Sequence, residues 1–267
     1  MRRRTRQLLV AAAAAVALAA AVGLQIRHEH AGLPQPLTRI DAAAVTTVGV
    51  RCRGCVTRRF EKAADGWHMR EPYALPADAA AVEGLLAIAA VPVRTWYADG
   101  ALDPSRLGLD PPLIELQLDA QRIAIGTTDV IDSDRYLGVD GRIARAPDRF
   151  SPRLLTVPEA ELDRHLAPRG RALRAVDLIV GAQRRSGDAQ AWRQAQAQRI
   201  DAPQAGIDAS AASAHVQLHT ADGETIGYRL LRRGDAYLAL RDAPALIYVL
   251  DAATMAALLP DGVPTTP

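Results

Sequence analysis

The stretch GLDPPLIELQLDAQRIAIG, residues 108–126, decides the fold. Pro111 and Pro112 fix φ and cannot donate to a ladder, so Gly108–Pro112 reads as a turn. After it, Leu113–Leu118 and Arg122–Gly126 carry the alternating apolar pattern of half-buried strands, joined at Asp119-Ala120 as a tight hairpin. A second stretch, GIDASAASAHVQLHTADGETIG, residues 206–227, runs through the same order. Gly108-Leu109-Asp110 matches Gly206-Ile207-Asp208, and Leu116-Gln117-Leu118 matches Val216-Gln217-Leu218. Ile125-Gly126 matches Ile226-Gly227, and Tyr136-Leu137 matches Tyr237-Leu238. The offsets run only from 98 to 101 residues. Coincidence in an alanine-rich chain is the competing reading. The expectation is an α+β fold of antiparallel strands with a few helices, in two related units at 40–166 and 172–260, behind one N-terminal transmembrane helix. Leu116, Leu118, Ile125, Val216, Leu218 and Ile226 should then be buried in corresponding positions.

Further strands flank these hairpins. Val45–Val50, Val56–Phe60 and the region of Trp67 and Met69 precede the first. Arg135–Val139 and Arg142–Ala144 follow it. Pro76-Ala77-Asp78 opens a helix with Val82, Leu85, Leu86 and Ala89 on one face, ended by Pro92. Short helical turns are expected at Pro152–Leu155 and Pro158–Leu166. In the second half, Val176–Val180, Val216–Thr220, Thr225–Leu231, Tyr237–Leu240 and Leu246–Leu250 read as strands, and Ala252–Leu259 as a helix. Residues 183–199 are polar around Trp192, and no helix is expected before Gly206. The second sheet should lean on the 252–259 helix or on the first unit. The tail, 261–267, has nothing to bury and should be disordered.

The chain has 267 residues, 49% hydrophobic and 23% charged. That excludes a disordered polyelectrolyte, and with only one long apolar stretch it excludes a multi-pass transporter. Residues 8–26 carry no formal charge and follow Arg2, Arg3, Arg4 and Arg6. As a helix they reach about 28 Å, near the thickness of a bilayer core. The arginines should stay in the cytoplasm, which places the remainder outside it. An uncleaved anchor fits the length. A signal peptide cleaved near Ala19-Ala20-Ala21 fits the weak hydrophobicity of alanine. Either reading puts the protein at the bacterial inner membrane, single pass, with its soluble part in the periplasm. Residues 27–39, with Pro34 and Pro36, read as a tether. The formal charge of +2 comes from the N-terminal arginines; beyond residue 26 there are 28 basic and 30 acidic residues. Such a balance gives no field for nucleic acid.

Cys52 and Cys55 are the only cysteines. Outside the cytoplasm a disulfide across a hairpin tip is expected, with Arg53-Gly54 as the turn. Closing so short a loop stabilises by about 2 kcal/mol in the chain-entropy model. A redox-active pair needs a helix after the second cysteine to lower the thiolate pKa, and Val56–Phe60 reads as strand. Arg51, Arg53, Arg58 and Arg59 would supply positive charge. A reduced pair or a metal pair are the other readings. His28 and His30 fall in the tether, and His215 and His219 lie about 13 Å apart on a strand, too far for one ion. Asp129, Asp132 and Asp134 lack the glycine and terminal glutamate of a calcium loop. No nucleophile elbow, zinc-protease helix or phosphate loop occurs. The residues thus offer no catalytic set, no metal site and no cofactor.

Trp67, Pro72, Pro76-Ala77-Asp78, Gly108–Pro112, Ile125-Gly126 and Arg135-Tyr136-Leu137, in that order, are similar to the bacterial family known as domain of unknown function 4340. The resemblance covers about residues 40–166 and, more faintly, the second half. It implies a membrane-anchored extracytoplasmic module, some relatives resembling accessory subunits of ABC-type export systems, and it carries over no catalytic residue. The expectation is a non-enzymatic envelope module that binds another protein, an ABC-type transporter subunit among the candidates. The alternative is a periplasmic thiol-redox or small-ligand-binding protein built around Cys52 and Cys55.

Overall fold

The computed structural model describes residues 35–259. The anchor or signal segment at 1–26, the tether up to residue 34 and the tail at 261–267 lie outside the described residues. In chain order the elements are β1 (Thr47–Cys52), β2 (Arg58–Ala63), β3 (Gly66–Glu71), β4 (Leu75–Pro76), α1 (Ala79–Leu86), β5 (Thr95–Trp96), β6 (Ile114–Leu118), β7 (Gln121–Thr128), β8 (Asp134–Val139), β9 (Arg142–Pro147) and α2 (Ser151–Leu154). Then come β10 (Leu173–Val180), β11 (Gln183–Ser186), α3 (Ala189–Gln194), β12 (Arg199–Asp201), β13 (Ala214–Thr220), β14 (Thr225–Arg233), β15 (Ala236–Arg241), β16 (Leu246–Leu250) and α4 (Ala252–Leu258). The protein is β-rich: two antiparallel sheets with a few short helices.

The first sheet has nine strands in the order β4-β3-β2-β1-β6-β7-β8-β9-β5; the second has seven, β11-β10-β13-β14-β15-β16-β12. Seven positions correspond. In each sheet an early strand (β1, β10) pairs with the first of four meander strands, and a short strand (β5, β12) closes the far edge. A hairpin partner (β2, β11) lies on the other side of the early strand. Helix α1 precedes β5, and α3 precedes β12. Both helices begin on an aspartate, Asp78 or Asp188, whose carboxylate accepts from the N–H two residues on. That bond satisfies a donor left orphaned at the first turn.

Four expectations need correction. The second sheet does have a helix before Gly206: α3, whose Trp192 is fully buried. One large side chain with small residues around it gives no helical stripe to read, although it fills the same place as the stripe of α1. The tether is shorter than 27–39, because Leu37 is buried and Leu37 and Thr38 donate to Val91 and Ala89. Pro36 and Pro92 form an isolated antiparallel bridge beside them. Only Pro158–Glu161 of the 158–166 segment is helical, as a single 3-10 turn. After it the chain runs extended between the two halves: the Asp163 N–H donates to the Pro76 carbonyl of β4, and the Leu166 N–H donates to the Ala195 carbonyl at the end of α3. Finally, the matched pieces are not in equal register. Ile125 faces Ile114 across the first hairpin, whereas Ile226 faces Leu218 across the second.

Leu116, Leu118, Ile125, Val216, Leu218 and Ile226 are all buried, in one core that both sheets share. A separate small cluster, Leu231, Leu238, Leu240, Ile247 and Val249, lies on the opposite face of the second meander.

Candidate functional site

Cys52 ends β1, and its sulfur is bonded to that of Cys55, with the Cα atoms 5.4 Å apart. Gly54 holds φ +83°, a conformation open to glycine, which lets the turn close within four residues. The next element is β2, a strand, so no helix dipole points at the sulfurs. Three of the neighbouring arginines are occupied elsewhere. Arg51 pairs with Glu115 and Arg59 with Glu61. Arg58 is turned into the core, 2.6 Å from Glu161 and bonded to the carbonyls of Arg153 and Leu154. Burial pushes the Glu161 carboxyl up to about 7, against the pull of Arg58.

Asp129, Asp132 and Asp134 do come together, but around a guanidinium. Arg145 lies 3.3 Å from Asp129, 3.3 Å from Asp132 and 3.6 Å from the buried Asp134, which Arg94 also reaches at 3.2 Å. Asp129 is the keystone of the β7–β8 loop. It accepts from the N–H groups of Ile131 and Asp132 and from the hydroxyl of Tyr136. The N–H of Asp132, foremost among these, holds the Asp129 carboxyl below the usual range. The locked loop presents Val130 and Ile131 to solvent at 95% and 83% exposure. Among the described residues, no group of three histidine, cysteine or acidic side chains is arranged to hold a metal ion. His219 is 3.3 Å from Asp177 and bonded to Thr225; His28 and His30 lie outside the described residues.

A polar cleft of about 310 Å³ opens where β3, the 163–171 segment and the second sheet meet. Asp163 accepts from the His165 backbone, from His165 Nδ1 at 2.7 Å and from Arg169 at 2.6 Å. Burial pushes its carboxyl up, yet these bonds outweigh it and the carboxyl stays below its ordinary range. His165 Nε2 faces the Gln196 amide nitrogen at 2.8 Å. Across the cleft, Asp65 accepts from His68 at 2.8 Å. At the back, Arg241 donates to the Ala243 carbonyl and stands beside the phenols of Tyr228 and Tyr248. Sequence reasoning missed this site, since its members come from β3, the linker, β15 and β16. One signal was present: Arg241 continues the apolar run Tyr237–Leu240, where a charge has no surface reason to be.

No family model, curated protein or solved structure matches this chain.

Proposed function

We propose that the chain is a non-enzymatic envelope module, held at the bacterial inner membrane through residues 8–26, whose periplasmic part binds another protein. The single observation that carries the reading is the β7–β8 loop. Val130 and Ile131 are exposed β-branched side chains on a backbone already fixed by Asp129, Tyr136 and Arg145. A pre-ordered apolar tip loses little entropy on docking, which favours a contact role. The Cys52–Cys55 bond supports an oxidising compartment. The corresponding strand orders support two related units from one duplication. The resemblance to the domain of unknown function 4340 family supports an ABC-type export subunit as the partner, and no nucleic acid enters the reading.

A photo-crosslinking residue at position 130 of the membrane-resident full chain tests it. The expected result is one discrete protein adduct that Ile131→Asp reduces at least tenfold. Absence of an adduct, or an adduct indifferent to Ile131→Asp, overturns the reading. A reporter fused after Pro267 and active only outside the cytoplasm should be active; an inactive one removes the periplasmic placement.

A further inference from the structure

Five side chains that ordinarily carry charge matter here, because all are buried: Arg58, Asp134, Glu159, Glu161 and Arg241. Arg58 and Glu161 form an ion pair, and Asp134 has Arg94 and Arg145. Glu159 accepts from the hydroxyl of Tyr73. Arg241 is different. It is 7% exposed, and among the described residues no carboxylate stands within ion-pair distance of it. A guanidinium cannot shed its proton, and a buried charge without a counter-charge costs several kcal/mol.

The carboxylates that share the cleft are already taken. Asp163 is held by His165 and Arg169, Asp65 by His68, and Glu224 by Arg171. Of the other two arginines lining the cleft, Arg70 is bonded to Glu61 and Arg171 to Glu224. Arg241 is thus the cation of this cleft with no carboxylate partner, and it lies at the closed end rather than on the rim. Beside it stand neutral groups, the Ala243 carbonyl and the phenols of Tyr228 and Tyr248. One phenol, Tyr228, is already donating to the Leu166 carbonyl.

We infer that the cleft binds a small oxyanion-bearing ligand, a carboxylate or a phosphate, whose oxygens lie against the guanidinium of Arg241. Arginine suits both anions, since its planar fork matches two acceptor oxygens. His68 and His165 line the same space. A volume of about 310 Å³ admits a small organic acid or phosphate. Because the lining comes from β3, the linker and the second sheet, such a ligand would also tie the two sheets together.

The test uses the full chain in detergent, with inorganic phosphate and succinate titrated separately against sodium chloride at matched ionic strength. Thermal unfolding should shift upward by several degrees with at least one of the two anions, and which one responds separates a phosphate ligand from a carboxylate ligand. Arg241→Gln and Arg241→Met should lose that shift, while Arg122→Gln, exposed on β7, should keep it. Without anion, Arg241→Met should unfold at or above the wild-type temperature, which a merely structural arginine would not allow. The inference is overturned if neither anion shifts the wild type, or if Arg241→Gln responds like the wild type. Failure of both Arg241 variants to fold makes the residue structural and overturns it equally.

Discussion

The two meanders, β6–β9 and β13–β16, occupy corresponding places in their sheets and fill their outer faces in opposite ways. In the first, the outward residues beneath the preceding loop are small: Ala124, Gly126 and Gly138. The large group comes from the preceding loop, whose Leu109 lies against Gly126 and Gly138. In the second, the strands supply the bulk through Leu231, Leu238, Leu240, Ile247 and Val249, and the preceding loop adds only Ile207 and Ala209. The consequence shows in the burial patterns. β9 alternates, while every residue of β16, its counterpart, is buried. Strand order and inward alternation therefore persist across the two sheets, whereas the partition of volume over the outer face does not. An outer face needs to be filled, and either side of the contact can fill it.

The strongest way to break the correspondence is through the helices. Trp192 on α3 is fully buried beside Tyr228, with ring centroids 6.2 Å apart. If α3 plays the part of α1, Trp192→Ala should cost about 3–5 kcal/mol in urea unfolding, as large core truncations do. Leu85→Ala on α1 should cost about 2–5 kcal/mol. A Trp192 cost under about 1 kcal/mol would make α3 an ornament of the second sheet and end the parallel.

The linker sharpens the comparison through pH. Glu161 faces the first sheet's Arg58, and Asp163, two residues on, faces the cleft; their carboxyls are displaced in opposite directions. Glu161 sits at about 7 folded, against about 4.3 unfolded. The folded state therefore binds the extra proton, and this contribution is full below the unfolded value and lost as pH rises through 7. Asp163 has the opposite sign: its contribution is present above its unfolded value and lost as pH falls through its depressed folded value. Glu161→Gln should therefore remove a decline in stability between about pH 4.5 and 7 that reaches at most about 3 kcal/mol. Asp163→Asn should leave that decline in place. A wild type whose stability is flat over this range would contradict the assignment.

The matched glycines come next. A Cβ on Gly126 would overlap the Leu107 carbonyl oxygen and the Leu109 side chain, whereas one on Gly227 would meet only the carboxylate of Asp242. Backbone cannot step aside; the end of an exposed side chain can. Gly126→Ala should cost about 1–3 kcal/mol, as overpacking does. Gly227→Ala should cost well under half as much by the same denaturation measurement. Equal costs would mean that the outer faces are not filled differently after all.

These contrasts also mark what the sequence made legible. The period-two runs Leu113–Leu118, Val216–Thr220 and Thr225–Leu231 announced their strands, because a sheet with one buried face imposes that period. The Ile-Gly pieces were placed on corresponding inward and outward positions for the same reason. The Tyr-Leu pieces misled: Leu137 belongs to the shared core and Leu238 to the outer cluster. With both faces of β15 apolar, identity of residues no longer fixes the face. Likewise Gly108-Leu109-Asp110 was the wrong counterpart for Gly206-Ile207-Asp208. Asp103 and Asp208 each accept from the N–H and hydroxyl of a serine two residues on, so Leu102-Asp103-Pro104-Ser105 is the closer equivalent of Ile207-Asp208-Ala209-Ser210. The cleft was illegible because no local period connects His68, Asp163 and Arg241.

The smallest expected effect concerns the two hairpins at the sheet starts. β1 and β2 are joined by residues 53–57, while β10 and β11 are joined by Gly181 and Ala182 alone. A two-residue connection holds its register by turn geometry, since Val180 faces Gln183 directly. The longer one has no such constraint, and its last paired residues are Val50 and Arg58. The Cys52–Cys55 bond closes that gap by binding the end of β1 to the loop. Reduction should therefore loosen only the tip of the first hairpin, costing about 2 kcal/mol at most. Hydrogen exchange checks it directly: on adding reductant, amides between Val50 and Arg59 should exchange faster while those between Leu178 and Arg185 stay unchanged. Cys52→Ser with Cys55→Ser should reproduce the oxidised chain's exchange everywhere except at that tip. Faster exchange in β6 or in the second sheet would mean that the bond does more than clip a hairpin, and would return weight to the redox reading of the pair.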